Sequence, residues 1–318
     1  MPSEFELIDR YFRRPTRHTV LGVGDDGAIV QPAAGMELVV STDMLVAGTH
    51  FLPDTDPADL GWKTLAVNVS DMAAMGAQPL WAVVAVALPE VDEPWIAAFA
   101  RGLFACADAF GMDIIGGDTT RGPLNLCPTI FGEVPQGQAL LRSGARPGDE
   151  IWVSGEPGRA ALALAHLQGR CSLGEPVLTD YHAALTRPQP RVALGIALRG
   201  LASAAIDVSD GLIADLGHIL ERSTVAATVH LELLPNAVLS ACPDAALAQD
   251  CLLGGGDDYE LLFTAAPCRH AQIEALSAAL GLALSCIGSI AAGTGLNLLD
   301  AEGRALPTGR RGFDHFAQ

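Results

Sequence analysis

A two-domain α/β protein, with α+β character, is what this sequence predicts, and three observations carry the expectation. The 318 residues are enough for two domains of ordinary size. Strand-like and helix-like patterns alternate through both halves. A turn-rich joint, Ser143–Asp149 (S-G-A-R-P-G-D), separates the halves and places the boundary after residue 148. The expected domains are therefore 1–148 and 149–318. Half of the residues are hydrophobic and 18% are charged, so each half can bury a core.

In the first half, Ser3 and Glu6 form a capping-box pattern before Phe5, Leu7, Ile8, Tyr11 and Phe12, which predicts an early helix. Leu21 to Asp26 reads as a strand and turn. Glu37 to Thr42 is a second strand that ends at Asp43. Asp56-Pro57 gives an N-cap with proline in the first turn. The helix it opens runs through Leu60, Leu65 and Val67, with an interruption expected at Asn68–Asp71 and an end at Gly76. Leu80 to Leu88 is an uncharged, valine-rich buried strand. Ile96, Phe99, Ala100, Leu103, Phe104 and Ala107 hold a helical stripe with Gly111 beyond it. Ile114-Ile115 is a short strand followed by a loop, Gly116–Arg121, and then Leu124 to Val134.

The second half repeats the alternation. Strands are expected at Ile151–Val153, Ala204–Asp207 and Leu261–Ala265. Helices are expected at Gly158–Leu167, Pro190–Leu201, Gly211–Arg222 and Arg269–Leu280.

The formal net charge is −18, which disfavours nucleic acid and anionic membranes as partners. No apolar run approaches the roughly 18 residues of a spanning helix. The N-terminal residues do not read as a secretory signal, and the seven cysteines contain no C-x-x-C pair. A cytoplasmic location fits, and neither a disulfide framework nor a thiolate zinc site is expected.

Carboxylates recur in turns at Asp25-Asp26, Asp43, Asp71, Asp118, Asp207–Asp210 and Asp257-Asp258. Each has a plainer reading when taken alone. Ser70-Asp71 and Ser209-Asp210 can cap helices, Asp43 can end a strand, and Gly254–Gly256 can be a flexible loop. Together they offer hard oxygen ligands, suited to Mg²⁺, and cations would let so acidic a protein receive phosphates. Gly22–Gly27 matches G-x-G-x-x-G, but Gln31-Pro32 stops the long helix a dinucleotide fold needs. There is no Walker loop, and the single lysine, Lys63, lies in an apolar helix, so metal and arginine remain for phosphate work. His50, a few residues past Asp43, is close enough to line the same cleft, although a lone histidine is more often structural. Arg142 is a candidate phosphate clamp whose plainer reading is a solvated turn arginine.

In order along the chain, these segments resemble thiamine-monophosphate kinases. The carriers are G22-V-G-D-D26, S41-T-D-M-L-V-A-G-T-H-F51, L65–A77, I115-G-G-D-T-T-R-G122, I206-D-V-S-D-G-L212, G255-G-D-D-Y-E-L261 and G312-F-D-H-F316. G-G-D alone is shared with synthetases for aminoimidazole ribotide and selenophosphate. The segment from Ser41 to Phe51 is more specific to the kinase.

The resemblance implies an aminoimidazole ribotide synthetase-like fold whose N-terminal sheet pairs across a homodimer. It implies ATP-dependent phosphorylation of thiamine monophosphate to the diphosphate, by direct in-line transfer between phosphates bridged by Mg²⁺. Metal ligands would be Asp26, Ser41, Thr42, Asp43, Asp71, Asp118, Asp207 and Asp210, with Asp43, Asp71 and Asp118 central to catalysis. Gly117, Asp118, Arg142 and Ser209 would meet the nucleotide. His50, Asp257 and Phe313 would meet thiamine phosphate. Asp257 stands where the family commonly has glutamate, and Phe313 where tyrosine or tryptophan is frequent. A selenophosphate synthetase should carry a reactive cysteine near its N-terminus, and none precedes Cys106. A catalytically silent nucleotide binder would have eroded acids, yet every acidic turn is intact.

Overall fold

The computed structural model describes residues 4–307. Phe313, expected at the substrate, lies outside the described residues. The described chain divides into two compact units. Unit 1 runs to Met72 and resumes over Ala77–Gly137; unit 2 takes Ala73–Gly76 and the described residues from Gln138 onward.

Unit 1 begins with α1 (Glu4–Leu7), continued by a wider helical turn over Ile8–Phe12. Strands β1 (Thr19–Leu21) and β2 (Ile29–Val30) form a small hairpin. Next come β3 (Met36–Thr42), β4 (Leu45–Val46), α2 (Pro57–Ala74), β5 (Gln78–Leu88), α3 (Glu93–Ala109), β6 (Asp113–Arg121) and β7 (Asn125–Pro135). The main sheet has the order β3-β7-β5-β6, with β4 beside β7; only β5 and β6 run parallel. Asp56 caps α2 through the N–H groups of Ala58 and Asp59, and Asp92 caps α3 through Trp95. The two helices approach so closely that a Cβ on Gly61 would fall 2.0 Å from the Phe99 carbonyl, and one on Gly102 1.7 Å from that of Ala58. Leu65, Met72, Trp81, Phe99, Leu103, Leu126 and Ile130 are fully buried in this unit.

Two expectations fail here. Helix α2 is continuous through Asn68–Asp71, so Asp71 sits inside a helix and not in a turn. The buried face formed by Leu65, Val69 and Met72 outweighs the weak helix preference of Asn, Ser and Asp. The Gly116–Arg121 segment is strand, pairing residue by residue with β5, and not a loop. Glycine is needed at 117 because a Cβ there would lie 2.0 Å from the Val84 carbonyl oxygen.

Unit 2 contains β8 (Glu150–Ser154), α4 (Arg159–Leu167), α5 (Val177–Thr186), α6 (Val192–Ala197), β9 (Ala202–Asp207), α7 (Leu212–Ser223) and β10 (Ala226–His230). It continues with α8 (Ala237–Ala241), α9 (Ala245–Gly254), β11 (Leu261–Ala265), α10 (His270–Leu280), β12 (Leu284–Ala291), β13 (Gly295–Leu299) and β14 (Ala305–Leu306). Its seven strands follow the order β14-β13-β10-β12-β8-β11-β9. Ile151, Ile206, Leu216, Leu262 and Ile287 belong to its main apolar core. The expected Pro190–Leu201 helix is only the six residues of α6, since Arg187–Arg191 adopts no helix around Pro188 and Pro190.

Candidate functional site

Within unit 1, the end of β3 meets the middle of α2. Asn68 is fully buried, and its amide nitrogen donates to Asp43 Oδ2 at 2.5 Å and Asp71 Oδ2 at 3.2 Å. Ser41 Oγ donates to the same Asp71 oxygen at 2.7 Å. The amide orientation follows from chemistry, because only the NH₂ can face two carboxylates. That leaves Asn68 Oδ1 buried without a hydrogen-bond partner. Two carboxylates sharing one amide donor beside a serine hydroxyl and an orphaned amide oxygen make a hard-oxygen donor set that suits Mg²⁺. Thr42 differs. Its hydroxyl is turned to the Pro128 carbonyl and Thr129 Oγ1, 2.9 Å from each.

A second group includes Gly117 and Asp118 of β6, the other outer strand of the same sheet. Asp26 and Asp118 line a cleft of about 750 Å³ with Gly24, Asp25 and Gly117. The register relates the two groups. Asp43 donates its N–H to Pro128 O, Pro128 pairs with Val84, and Val84 pairs with Gly117. Asp43 and Gly117 are therefore level, three strand spacings or about 14 Å apart at the backbone. The chain brings Ser41, Asp43 and Asp71 into one hydrogen-bonded cluster and Asp26 and Asp118 into one cleft.

His50 is fixed by the turn after β4, where its Nδ1 accepts the Val46 N–H at 3.0 Å. A neutral ring then carries its proton on Nε2, which can donate to an anion.

Unit 2 supplies a separate acidic loop after β9. Asp207 is buried at the strand end, and Ser209, Asp210 and Gly211 lead into α7. Asp215, one turn into α7, accepts the N–H groups of Ser209, Asp210 and Gly211 through a single oxygen, each at 3.1 Å. Burial, with Asp210's charge adding to it, raises the Asp215 carboxyl to about 7, and the three N–H groups pull against that rise.

The segment after α9 is stitched to this loop. Asp257 N–H donates to Ser209 O and Tyr259 N–H to Val208 O. Asp257 and Tyr259 both hold positive φ, 69° and 53°, and Tyr259 Oη donates to Asp257 Oδ1 at 2.9 Å. Such strained non-glycine backbone concentrates at functional positions. Gly254–Gly256 is not a free loop: Gly254 ends α9, and a Cβ on Gly256 would lie 2.4 Å from Ser209 O. Asp258 accepts the Gly158 N–H at 2.7 Å, and burial holds its carboxyl well above the usual range. Arg142 is exposed, and its carbonyl accepts from Ser223 Oγ.

Comparison with known proteins bears on the family and the fold. Residues 24–134 match the family model for the AIR synthase related protein, N-terminal domain, and residues 146–300 that for the C-terminal domain. The thiamine-monophosphate kinase of Salmonella typhimurium is 48% identical over 99% of this chain and 98% of its own length; that of Escherichia coli K12 is 46% identical over the same shares. The chain belongs to the thiamine-monophosphate kinase family. The crystal structure of a family member from Stenotrophomonas maltophilia K279a is 48% identical, with a TM-score of 0.86 over 96% of this chain and 98% of that one. The structure of AaThiL complexed with AMPPCP and TMP is 29% identical, with a TM-score of 0.79 over 98% of this chain and 97% of the other. The family's two-part α/β fold is the one read from the sequence.

Asn68 and Asp215 were not among the expected site residues. Asn68 lies in the family-like segment, but an amide has no metal-binding spacing to mark it. Asp215 looks like an ordinary acid in a helix's first turn.

Proposed function

We propose that this protein transfers the γ-phosphoryl group of ATP to thiamine monophosphate, giving thiamine diphosphate and ADP. Membership of the kinase family supports the reaction, and the Asn68-linked pair of carboxylates carries the reading of the site. The P–O bond to ADP breaks while a bond forms to a phosphate oxygen of thiamine monophosphate. That oxygen is already ionised near neutral pH, so no general base is required.

Asp43, Asp71, Ser41, Asp26 and Asp118 are the proposed holders of Mg²⁺ in unit 1, and Asp207 and Asp210 those in unit 2. Thr42 joins them only through its backbone carbonyl, since its hydroxyl is engaged in the sheet. Bound Mg²⁺ neutralises the phosphate charges that this acidic chain would otherwise repel. Gly117 gives an unobstructed backbone at the phosphate, and Arg142 and Ser209 bind the nucleotide. His50 donates from Nε2 to the substrate phosphate. Asp257, held in position by Tyr259, meets the thiamine moiety, and Phe313 stacks on one of its rings.

A homodimer in the cytoplasm fits the same reading. Met36, Leu38 and Val40 alternate along the edge strand β3 and are 40%, 43% and 56% exposed, an apolar stripe suited to a second copy. No helix among the described residues is long and apolar enough to cross a membrane.

The test is product analysis. Purified protein with ATP, Mg²⁺ and thiamine monophosphate should yield thiamine diphosphate and ADP in equal amounts. ADP formation without thiamine diphosphate would overturn the proposal, as would the same rate with EDTA present.

A further inference from the structure

Away from the oxygen-rich clusters, unit 2 gathers three side chains of different donor type. Glu150 begins β8, Cys286 lies in β12 and His270 begins α10. Strand pairing sets the first two. Cys286 is opposite Trp152, and after an irregularity Ser289 is opposite Glu150. Glu150 and Trp152 are two residues apart on one strand, so Glu150, Trp152 and Cys286 present one face of the sheet. The ring of His270 packs over that face, 4.9 Å from the Trp152 ring, with Nδ1 at 3.0 and 2.9 Å from the two Glu150 oxygens.

One ligand atom from each of Glu150, His270 and Cys286 lies within 4.8 Å of the others. In a tetrahedral zinc site, bonds of about 2.0 Å to N and O and 2.3 Å to S put the ligand atoms of such a trio about 3.3–3.5 Å apart. Closing the gap takes about an ångström, within the reach of side-chain rotation. We propose that Glu150, His270 and Cys286 form a binding site for a borderline-soft divalent transition metal of the Zn²⁺ type.

The surroundings are those of a supported metal site. Trp152 Nε1 donates to Glu150 Oε2 at 3.2 Å and fixes the carboxylate. On the far side of the imidazole, Glu274 Oε1 lies 3.5 Å from Nε2, placed to orient a ring whose Nδ1 faces the metal. The side chains of His270 and Glu150 are 41% and 21% exposed, so a metal can enter and a water can take the fourth position. A mixed N, O and S donor set discriminates against Mg²⁺, which prefers oxygen, and this separates the site from the acidic clusters. No C-x-x-C spacing announced the site because its ligands come from three separate elements.

The site is tested with Co²⁺ on the full chain, freed of metal with EDTA, desalted and then saturated with Mg²⁺ to fill the oxygen sites. One equivalent of Co²⁺ should give a near-ultraviolet thiolate-to-cobalt charge-transfer band that Zn²⁺ abolishes. Cys286→Ser should remove the band while leaving the thermal midpoint of the metal-free protein and the Mg²⁺-dependent kinase rate unchanged. His270→Ala should weaken Co²⁺ binding at least tenfold. Absence of the band in the parent protein, or its persistence in Cys286→Ser, would overturn the proposal and leave the trio a plain Glu–His pair beside a thiol. Neither result bears on the kinase reading.

Discussion

Asn68 reaches from the buried middle of α2 to Asp43 at the end of β3, 2.5 Å away, and the same nitrogen serves Asp71. One neutral amide thus holds two like charges together. Replacing it with a third carboxylate, Asn68→Asp, removes the donor and adds repulsion. Hydrogen bonds to charged groups contribute about 1.5–3 kcal/mol, so a loss of at least that size is expected in EDTA. Mg²⁺ should restore much of it, because a cation neutralises the added charge. Thermal melts of both proteins with and without Mg²⁺ check this. An equal loss in the two conditions would mean that the cluster holds no cation.

Asp71→Asn addresses the chemistry at the same place. The amide is almost isosteric and can still accept from Ser41, so the fold should persist. A metal-binding charge is lost. Turnover should fall by about 10²-fold or more, in line with losing one electrostatic contact to the transferring group. Steady-state rates beside an unchanged circular dichroism spectrum make the measurement. Near-normal turnover would remove Asp71 from the proposed mechanism.

Much of the framework around this site was legible because its signals are local. Strand β3 running into Asp43, the Asp56-Pro57 start of α2 and the capped stripe of α3 follow from short-range pattern and turn chemistry. What was hidden depends on partners distant in sequence. The Gly116–Arg121 stretch looked like a loop because glycines and hydroxyls weaken strand preference, yet β5 supplies a full set of ladder partners. Ser70-Asp71 looked like a cap, but packing of α2 carries the helix straight through it. Asp215 could not be seen, since nothing in its spacing says which loop it will meet.

His270 gives a pH dependence that can be read on the metal-free protein. Its hydrogen bond to Glu150 is the main cause of a pKa raised above the ordinary 6.5, with the charges of Glu150 and Glu274 adding and burial opposing. A histidine raised in the folded state contributes stability that is fully present below about pH 6.5. That contribution disappears as pH rises through the folded value. An NMR titration of the ring in EDTA should therefore give a pKa above 6.5, lowered again by Glu150→Gln. An unchanged pKa in that variant would show that Glu150 is not the partner that matters.

Arg191 and Glu260 form an ion pair in unit 2 whose side chains are 22% and 4% exposed. The contact is bidentate, Nε to Oε2 at 2.7 Å and Nη2 to Oε1 at 2.5 Å, and Ser154 Oγ donates to Oε2 as well. Burial works against the guanidinium charge, but Glu260 outweighs it and keeps Arg191 above its ordinary pKa. Space around the carboxylate is also committed, since a Cβ on Gly155 would fall 1.9 Å from Oε1. Removing the cation alone, as in Arg191→Ala, leaves a buried carboxylate uncompensated and should cost about 3–5 kcal/mol. The double variant Arg191→Met/Glu260→Leu removes both charges and should recover a large part of that loss. Urea unfolding of the parent, the single variant and the double variant measures each step. Equal losses in the two variants would mean that Glu260 is held by Ser154 and the backbone, with Arg191 contributing only its packing.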